Sequence, residues 1–269
     1  MMGSQQTNSP KPGFRLGGEV AVITGSTSGL GKSLAVRFAA EGAKIVVTGR
    51  NHEAGISVCE TVIKAGGEAV FVAADLLDDN CGEILVSAAT QAFGKLTILV
   101  NNAVDIQSDG PVAQVESTTW ERILQVGVVA AGLASKAAIP QMATAGGGAI
   151  LNISSRTAER ASPRLAAYTA AKGALNALTR SIALDYAHLN IRCNTVQLGY
   201  ILHETRDSQN SQQRNEQIEA MCLTRPATAE DVCHACVYLA SREAEVVTGI
   251  TLNIDSGSTA ARAASFDLP

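Results

Sequence analysis

Aromatic side chains are scarce: one Trp, four Tyr and five Phe stand among 269 residues. Any core must therefore be built from Ala, Val, Ile and Leu, which suits parallel strands covered by helices on both faces. An excess of basic charge is also missing. Lys and Arg number 21 against 25 Asp and Glu, a net charge of −4, so no global field draws the chain to nucleic acid or to an anionic membrane. No stretch reaches the ~18 uninterrupted apolar residues of a spanning helix. The six cysteines, Cys59, Cys81, Cys193, Cys222, Cys233 and Cys236, are scattered through apolar patterns. They read as reduced core residues rather than a disulfide framework. Cys233 and Cys236 form a C-x-x-C inside a helical pattern, but no second Cys/His pair completes the four ligands zinc wants, so no metal site is expected. Residues 1–16 are polar, carry Pro10 and Pro12, and lack the apolar segment of a secretory signal. They are expected to form a loose tail, as are residues 261–269, and the default compartment is the cytoplasm.

What is present is an alternation of aliphatic runs and amphipathic segments. Strands are predicted at Val20–Thr24, Lys44–Thr48, Ala69–Ala73, Thr97–Asn101, Ala149–Ser154, Arg192–Val196 and Gly249–Ile254. Helical patterns lie near Gly29–Glu41, His52–Ala65, Asp79–Phe93, Thr118–Thr144, Leu165–Leu189 and Ala229–Ala240. Regular βαβ alternation predicts one Rossmann-like α/β domain over residues 17–260, a doubly wound parallel sheet of about seven strands with helices on both faces. The polar stretch from His203 to Arg225 interrupts the pattern at the end of a strand. It is either a substrate lid, since ligands bind beyond strand C-termini, or a solvated loop.

The first predicted strand runs into Thr24-Gly25-Ser26-Thr27-Ser28-Gly29-Leu30-Gly31 and then a helix. Glycines there permit a tight turn and let a pyrophosphate approach the backbone and the positive end of the helix. The spacing Gly-x-x-x-Gly-x-Gly resembles the turn of the short-chain dehydrogenase/reductase family. So do Asp75 after the third strand, Asn101-Asn102-Ala103 after the fourth, Ser155 lying 13 residues before Tyr168, the Tyr-x-x-x-Lys of Tyr168 to Lys172, and Asp255-Ser256-Gly257.

The resemblance covers residues 17–258 and implies a hydride-transferring oxidoreductase. It places a nicotinamide cofactor against Gly25, Ser26, Ser28, Gly29, Leu30 and Gly31, then Arg50, Asp75, Leu76, Asn102, Ala103, Tyr168, Lys172, Gly199 and Ile201. In this family an acid after the second strand selects NAD; here Gly49 stands in its place with Arg50 next. Removing the acid relieves repulsion of a 2′-phosphate, and an arginine fork can grip it, so NADP (NADPH) is expected over NAD. Ser26 is expected to add a hydroxyl to the same ribose.

Tyr168 and Lys172 share a helix face. A lysine ammonium and a positive nicotinamide stabilise a phenolate, so Tyr168 is expected to exchange a proton with a carbonyl or alcohol oxygen. By the resemblance Ser155 hydrogen-bonds that oxygen and Lys172 holds the nicotinamide ribose. Three positions depart from the family: Gly127 replaces an asparagine that holds a relay water, Leu198 and His203 replace a proline and a threonine near the nicotinamide carboxamide, and Val104 replaces a glycine. Gly127 is expected to leave space that water fills. Arg156, beside Ser155, either attracts a substrate carboxylate or faces solvent. The apolar helices Thr118–Thr144 and Leu165–Leu189 predict a homodimer or homotetramer. The expected partner is a small carbonyl or alcohol; the competing reading is an NADP-binding sensor or scaffold that has lost turnover.

Overall fold

The computed structural model describes residues 14–203, 207–208 and 210–260; the expected C-terminal tail and most of the N-terminal one lie outside them. Strand β1, Val20–Ile23, is buried at all four positions. Its neighbours are β2 (Lys44–Gly49), β3 (Glu68–Ala73), β4 (Ile98–Asn101), β5 (Gly148–Ser155), β6 (Ile191–Leu198) and, last in the chain, β9 (Thr251–Ile254). All seven pair in parallel in the order β3-β2-β1-β4-β5-β6-β9.

The two-residue period of a strand divides the core. Ala21 and Ile23 of β1 face a cluster with Leu34, Ala35 and Phe38 of α1 (Gly29–Ala40), Val58 and Cys59 of α2 (His52–Lys64), and Val232, Cys236 and Val237 of α8 (Ala229–Ala240). Val20 and Val22 face the other layer, with Leu85 and Ala89 of α3 (Cys81–Phe93), Ala134 and Ala138 of α5 (Ala130–Thr144), and Ile182 of α6 (Ala166–Tyr186). The chain reverses its direction of winding between β1 and β4, so the crevice beyond their carboxyl ends is where such a sheet takes a ligand.

Three features correct the expectations. The ordered domain begins before residue 17: Leu16 is fully buried, and Arg15 pairs with Glu243 at 2.6 Å. The predicted helix Thr118–Thr144 is instead α4 (Ser117–Leu124), one wide π turn over Gln125–Val129, and α5. By length and composition this run suffices to cross a membrane, yet Ile123, Ala134, Ala138 and Met142 bury one face of it in the protein. The polar stretch after His203 holds α7 (Gln212–Glu219), and two short strands bracket it, with Ile201 of β7 (Ile201–Leu202) paired to Ala227 of β8 (Ala227–Thr228).

Candidate active site

The glycine turn closes between β1 and α1 with Gly25 and Gly29 at φ of 65° and 52°, left-handed conformations that disfavour a side chain. At Gly31 the constraint is contact: a Cβ there would lie 2.3 Å from the Gly25 carbonyl oxygen. Asn102, at the end of β4, fastens the turn by donating its side-chain amide to Thr24 O at 2.8 Å, while its backbone N–H donates to Thr24 Oγ1 at 2.9 Å. Ser28 begins α1 without a side-chain cap, and the first turn holds no acid. The free N–H groups and dipole of that helix end suit an anion.

A cleft of about 760 Å³ opens there, lined by Gly25, Ser28, Gly29, Leu30, Gly31, Arg50, Asp75, Leu76, Asn102 and Ala103 among others. That is ten of the residues expected to hold the cofactor. Ser26 is a correction. It is fully buried, its hydroxyl donates to Ile23 O at 2.7 Å and accepts from Thr48 N at 2.9 Å, so it braces the turn and has no face to offer a ribose. Thr27, which the sequence reading passed over, lines the cleft instead. A Cβ on Gly49 would lie 2.8 Å from Thr27 Cγ2, so Thr27 fills the space an acid at position 49 would need. Arg50 is exposed at the cleft and has no ion-pair partner among the described residues. Tyr168, Lys172, Gly199 and Ile201, also expected against the cofactor, do not line this cleft. Gly199 follows Leu198, the register partner of Ser155, and crowds β9 so closely that a Cβ would meet Asp255 Cα at 2.6 Å.

Ser155 ends β5 and Tyr168 and Lys172 lie on α6, which a buried polar chain seats on the sheet. Asn101 donates to Asn152 at 2.8 Å, Asn152 to Thr179 at 2.8 Å, and Thr179 meets Thr195 at 2.8 Å. The Ser155 hydroxyl accepts from Thr157 N at 3.2 Å, which leaves its own proton for another acceptor. Burial raises the Tyr168 phenol above its ordinary value, and a hydrogen bond with Ser155 opposes the rise. Lys172 is 3% exposed and donates to Ile153 O at 2.7 Å. Its ammonium lies 5.6 Å from the centre of the Tyr168 ring, and burial lowers it from 10.5 to about 8. The structure thus brings together a phenol, a hydroxyl hydrogen-bonded to it and a buried cation. Burial dominates the phenol, so a working phenolate depends on the positive charges around it. Among the described residues no group of three or more His, Cys, Asp or Glu gathers to hold a metal.

The sequence matches the family described as enoyl-(acyl carrier protein) reductase over residues 25–259. A short-chain dehydrogenase/reductase of Aspergillus oryzae is 32% identical over 250 residues, 91% of this chain and 96% of that protein. The chain belongs to the short-chain dehydrogenase/reductase family. Relatives within it include an NADP-dependent (R)-specific alcohol dehydrogenase of Lentilactobacillus kefiri, 34% identical over 252 residues, 91% of this chain and 98% of that one. The structure of a gluconate 5-dehydrogenase from Burkholderia cenocepacia, in complex with NADP and tartrate, superposes with a TM-score of 0.85 at 31% identity, covering 93% and 98% of the two chains. This family member is accordingly an oxidoreductase.

Its departures have defined surroundings. Gly127 sits in the π turn, buried, and a Cβ there would meet Ala171 Cβ at 3.0 Å. A cavity of about 10 Å³ adjoins it, between Thr24, Asn101, Ala103 and Leu175, at the lower limit for one water. The open space expected at Gly127 is thus small. Val104 is 53% exposed at the cleft. Arg156 reaches Met221 Sδ at 3.5 Å and has no acidic partner among the described residues.

Proposed function

We propose that this protein is an NADP-dependent carbonyl reductase or alcohol dehydrogenase in which Tyr168 is the acid/base, Ser155 binds the reacting oxygen and Lys172 supports the phenolate. The observation that carries the reading is the grouping of Ser155, Tyr168 and a wholly buried Lys172, with Ser155 ending the strand that pairs with β4, whose following residues Asn102 and Ala103 line the cleft. A non-enzymatic scaffold has no evident need of that costly buried cation. The cleft residues fit a dinucleotide: the glycine turn admits a pyrophosphate, Asp75 and Leu76 would hold an adenosine, and Arg50 and Thr27 would take a 2′-phosphate. A nicotinamide held there supplies or accepts the hydride.

In reduction, the Ser155 hydroxyl donates to the carbonyl oxygen and polarises it. As hydride reaches the carbon, the oxygen takes the phenolic proton of Tyr168 and leaves as alcohol. The Lys172 ammonium stabilises the phenolate until a solvent proton restores it. Oxidation runs the same steps backwards. Exposed apolar residues in the π turn and on the helix that bears Tyr168, Val129 and Leu184 at 44% and 79%, support a twofold assembly through these helices.

Titration of NADPH and NADH, followed by ketones, aldehydes, diketones and steroids, tests the reading. NADPH oxidation on any of them is expected. Tight NADPH binding without turnover in either direction would point to the scaffold instead. Arg50→Asp is expected to weaken NADPH about 10- to 100-fold while sparing NADH, the worth of one or two charge-assisted bonds. Undiminished preference for NADPH would remove Arg50 from the account.

A further inference from the structure

α6, which carries Tyr168, begins without a cap of its own. Leu165 stands at the N-cap position with no side chain able to accept a hydrogen bond, and the first turn holds no acid. The free N–H groups are met from the loop after β4, some 58 residues away. Ala166 N donates to Gly110 O at 3.2 Å, Ala167 N to Asp109 Oδ1 at 3.2 Å, and Tyr168 N to Asp109 Oδ2 at 2.9 Å. Asp109 Oδ1 also accepts from Gly110 N at 2.8 Å, which fixes the carboxylate's own orientation. The residues that lead into each side of this clasp are strained: Ser108 and Arg164 adopt φ of 61° and 62° without being glycine. Conformations of that kind persist only where the surroundings impose them. The same loop is held at its other end by Arg122 of α4, which pairs with Asp105 and donates to Gln107 O.

We propose that Asp109 is a positioning residue for Tyr168: its carboxylate fixes the first turn of the helix, sets where the phenol stands, and offsets the positive end of the helix dipole beside it. This inference rests on the reading of Tyr168 as acid/base. Fraying of the first turn would move the phenol relative to Ser155, which belongs to β5 and is not held by the clasp. Displacements of about 1 Å cost catalysis far more than binding. The carboxylate also sets the local field. An uncapped helix N-terminus favours the anionic phenolate, so loss of the negative charge lowers the pH at which Tyr168 ionises. The other charged groups on elements packed around this helix end are Lys172, Glu121 and Arg122 of α4 with Asp105 paired to the latter, Arg156 and Glu159, and Arg164; the variants below leave them in place.

Asp109→Asn keeps one acceptor and removes the charge, whereas Asp109→Ala removes both. For Asp109→Asn the Tyr168 phenol is expected to titrate about half a unit lower, read as an ultraviolet difference spectrum against Tyr168→Phe. Its kcat is expected to fall about threefold and that of Asp109→Ala at least tenfold, with KM for NADPH within twofold in both. An unchanged phenol titration and unchanged kcat in Asp109→Asn overturn the proposal, even where thermal stability falls. If Asp109→Ala does not fold, the Asn variant decides alone. A wild-type protein without turnover would sink the catalytic reading of Tyr168, whereas the phenol titration would still decide the role of Asp109.

Discussion

Replacing Lys172 with methionine is expected to make the folded protein more stable at neutral pH while abolishing turnover. Burial brings the ammonium from 10.5 to about 8, so the folded state binds this proton more weakly than the unfolded state does. Stability therefore rises with pH between about 8 and 10.5, and the full cost is present below that window. At about 1.36 kcal/mol per unit the shift costs about 3 kcal/mol at pH 7. Methionine has a similar reach and no charge, so that cost disappears. Against it, the Ile153 carbonyl loses the donor that stood 2.7 Å away, at about 1–2 kcal/mol. The net gain at pH 7 is about 1–2 kcal/mol. By pH 10 the ionisation cost has shrunk by about 2–3 kcal/mol, so the variant's advantage disappears and turns into a deficit. Urea unfolding of both proteins at the two pH values measures this double difference, in which groups that do not interact with Lys172 cancel; Tyr168→Phe in both backgrounds removes the one that does. Equal differences at both pH values would refute the reasoning, because they would mean that Lys172 bears no strained charge.

Two further outcomes follow from the same site. In the reduction direction, kcat/KM is expected to stay level below about pH 8 and decline above it, because the Lys172 ammonium, lowered to about 8 by burial, is lost there while the raised Tyr168 phenol keeps its proton; a profile level to pH 10 would exclude Lys172 as the supporting cation. Gly127→Asn would restore the residue typical of the family, but its Cβ would press on Ala171 at 3.0 Å, so the variant is expected to lose about 1–2 kcal/mol by overpacking without a gain in kcat. Pairing it with Ala171→Gly relieves that contact and is expected to raise kcat above the single variant; a gain from Gly127→Asn alone would count against the steric account.

Most of the sheet was legible because its inner strands are buried on both faces, and runs such as Val20–Ile23 and Lys44–Gly49 announce themselves as aliphatic blocks. The two-residue strands β7 and β8 carry no period and could not be read. The π turn over Gln125–Val129 was hidden for a different reason: it keeps the helical apolar pattern on both sides and differs only in its hydrogen bonding. At the site, motif spacing located the glycine turn, Ser155, Tyr168 and Lys172. It offered a ribose the Ser26 hydroxyl, which is buried within the turn, because position within a turn does not say which side chain points inward. Asp109 gave no signal at all. Capping is normally read from the residue just before a helix, and here the acceptor arrives from another part of the chain.

The short pairing of Ile201 with Ala227 and Leu202 with Thr228 has an evolutionary consequence. Both ends of the segment between them are fastened to each other, so the sheet meets the same two anchor points whatever the segment's length or composition. Insertions within it, away from Leu223, whose N–H donates to Ser256 O just beyond β9, cost only slowly growing closure entropy. Selection can thus rewrite the polar stretch around α7 without re-solving the fold, much as an exchangeable fitting is changed on a fixed mount. Divergence between this chain and its relatives is expected to concentrate there, and grafting a relative's segment between Leu202 and Ala227 should transfer its preferences while leaving thermal stability nearly unchanged.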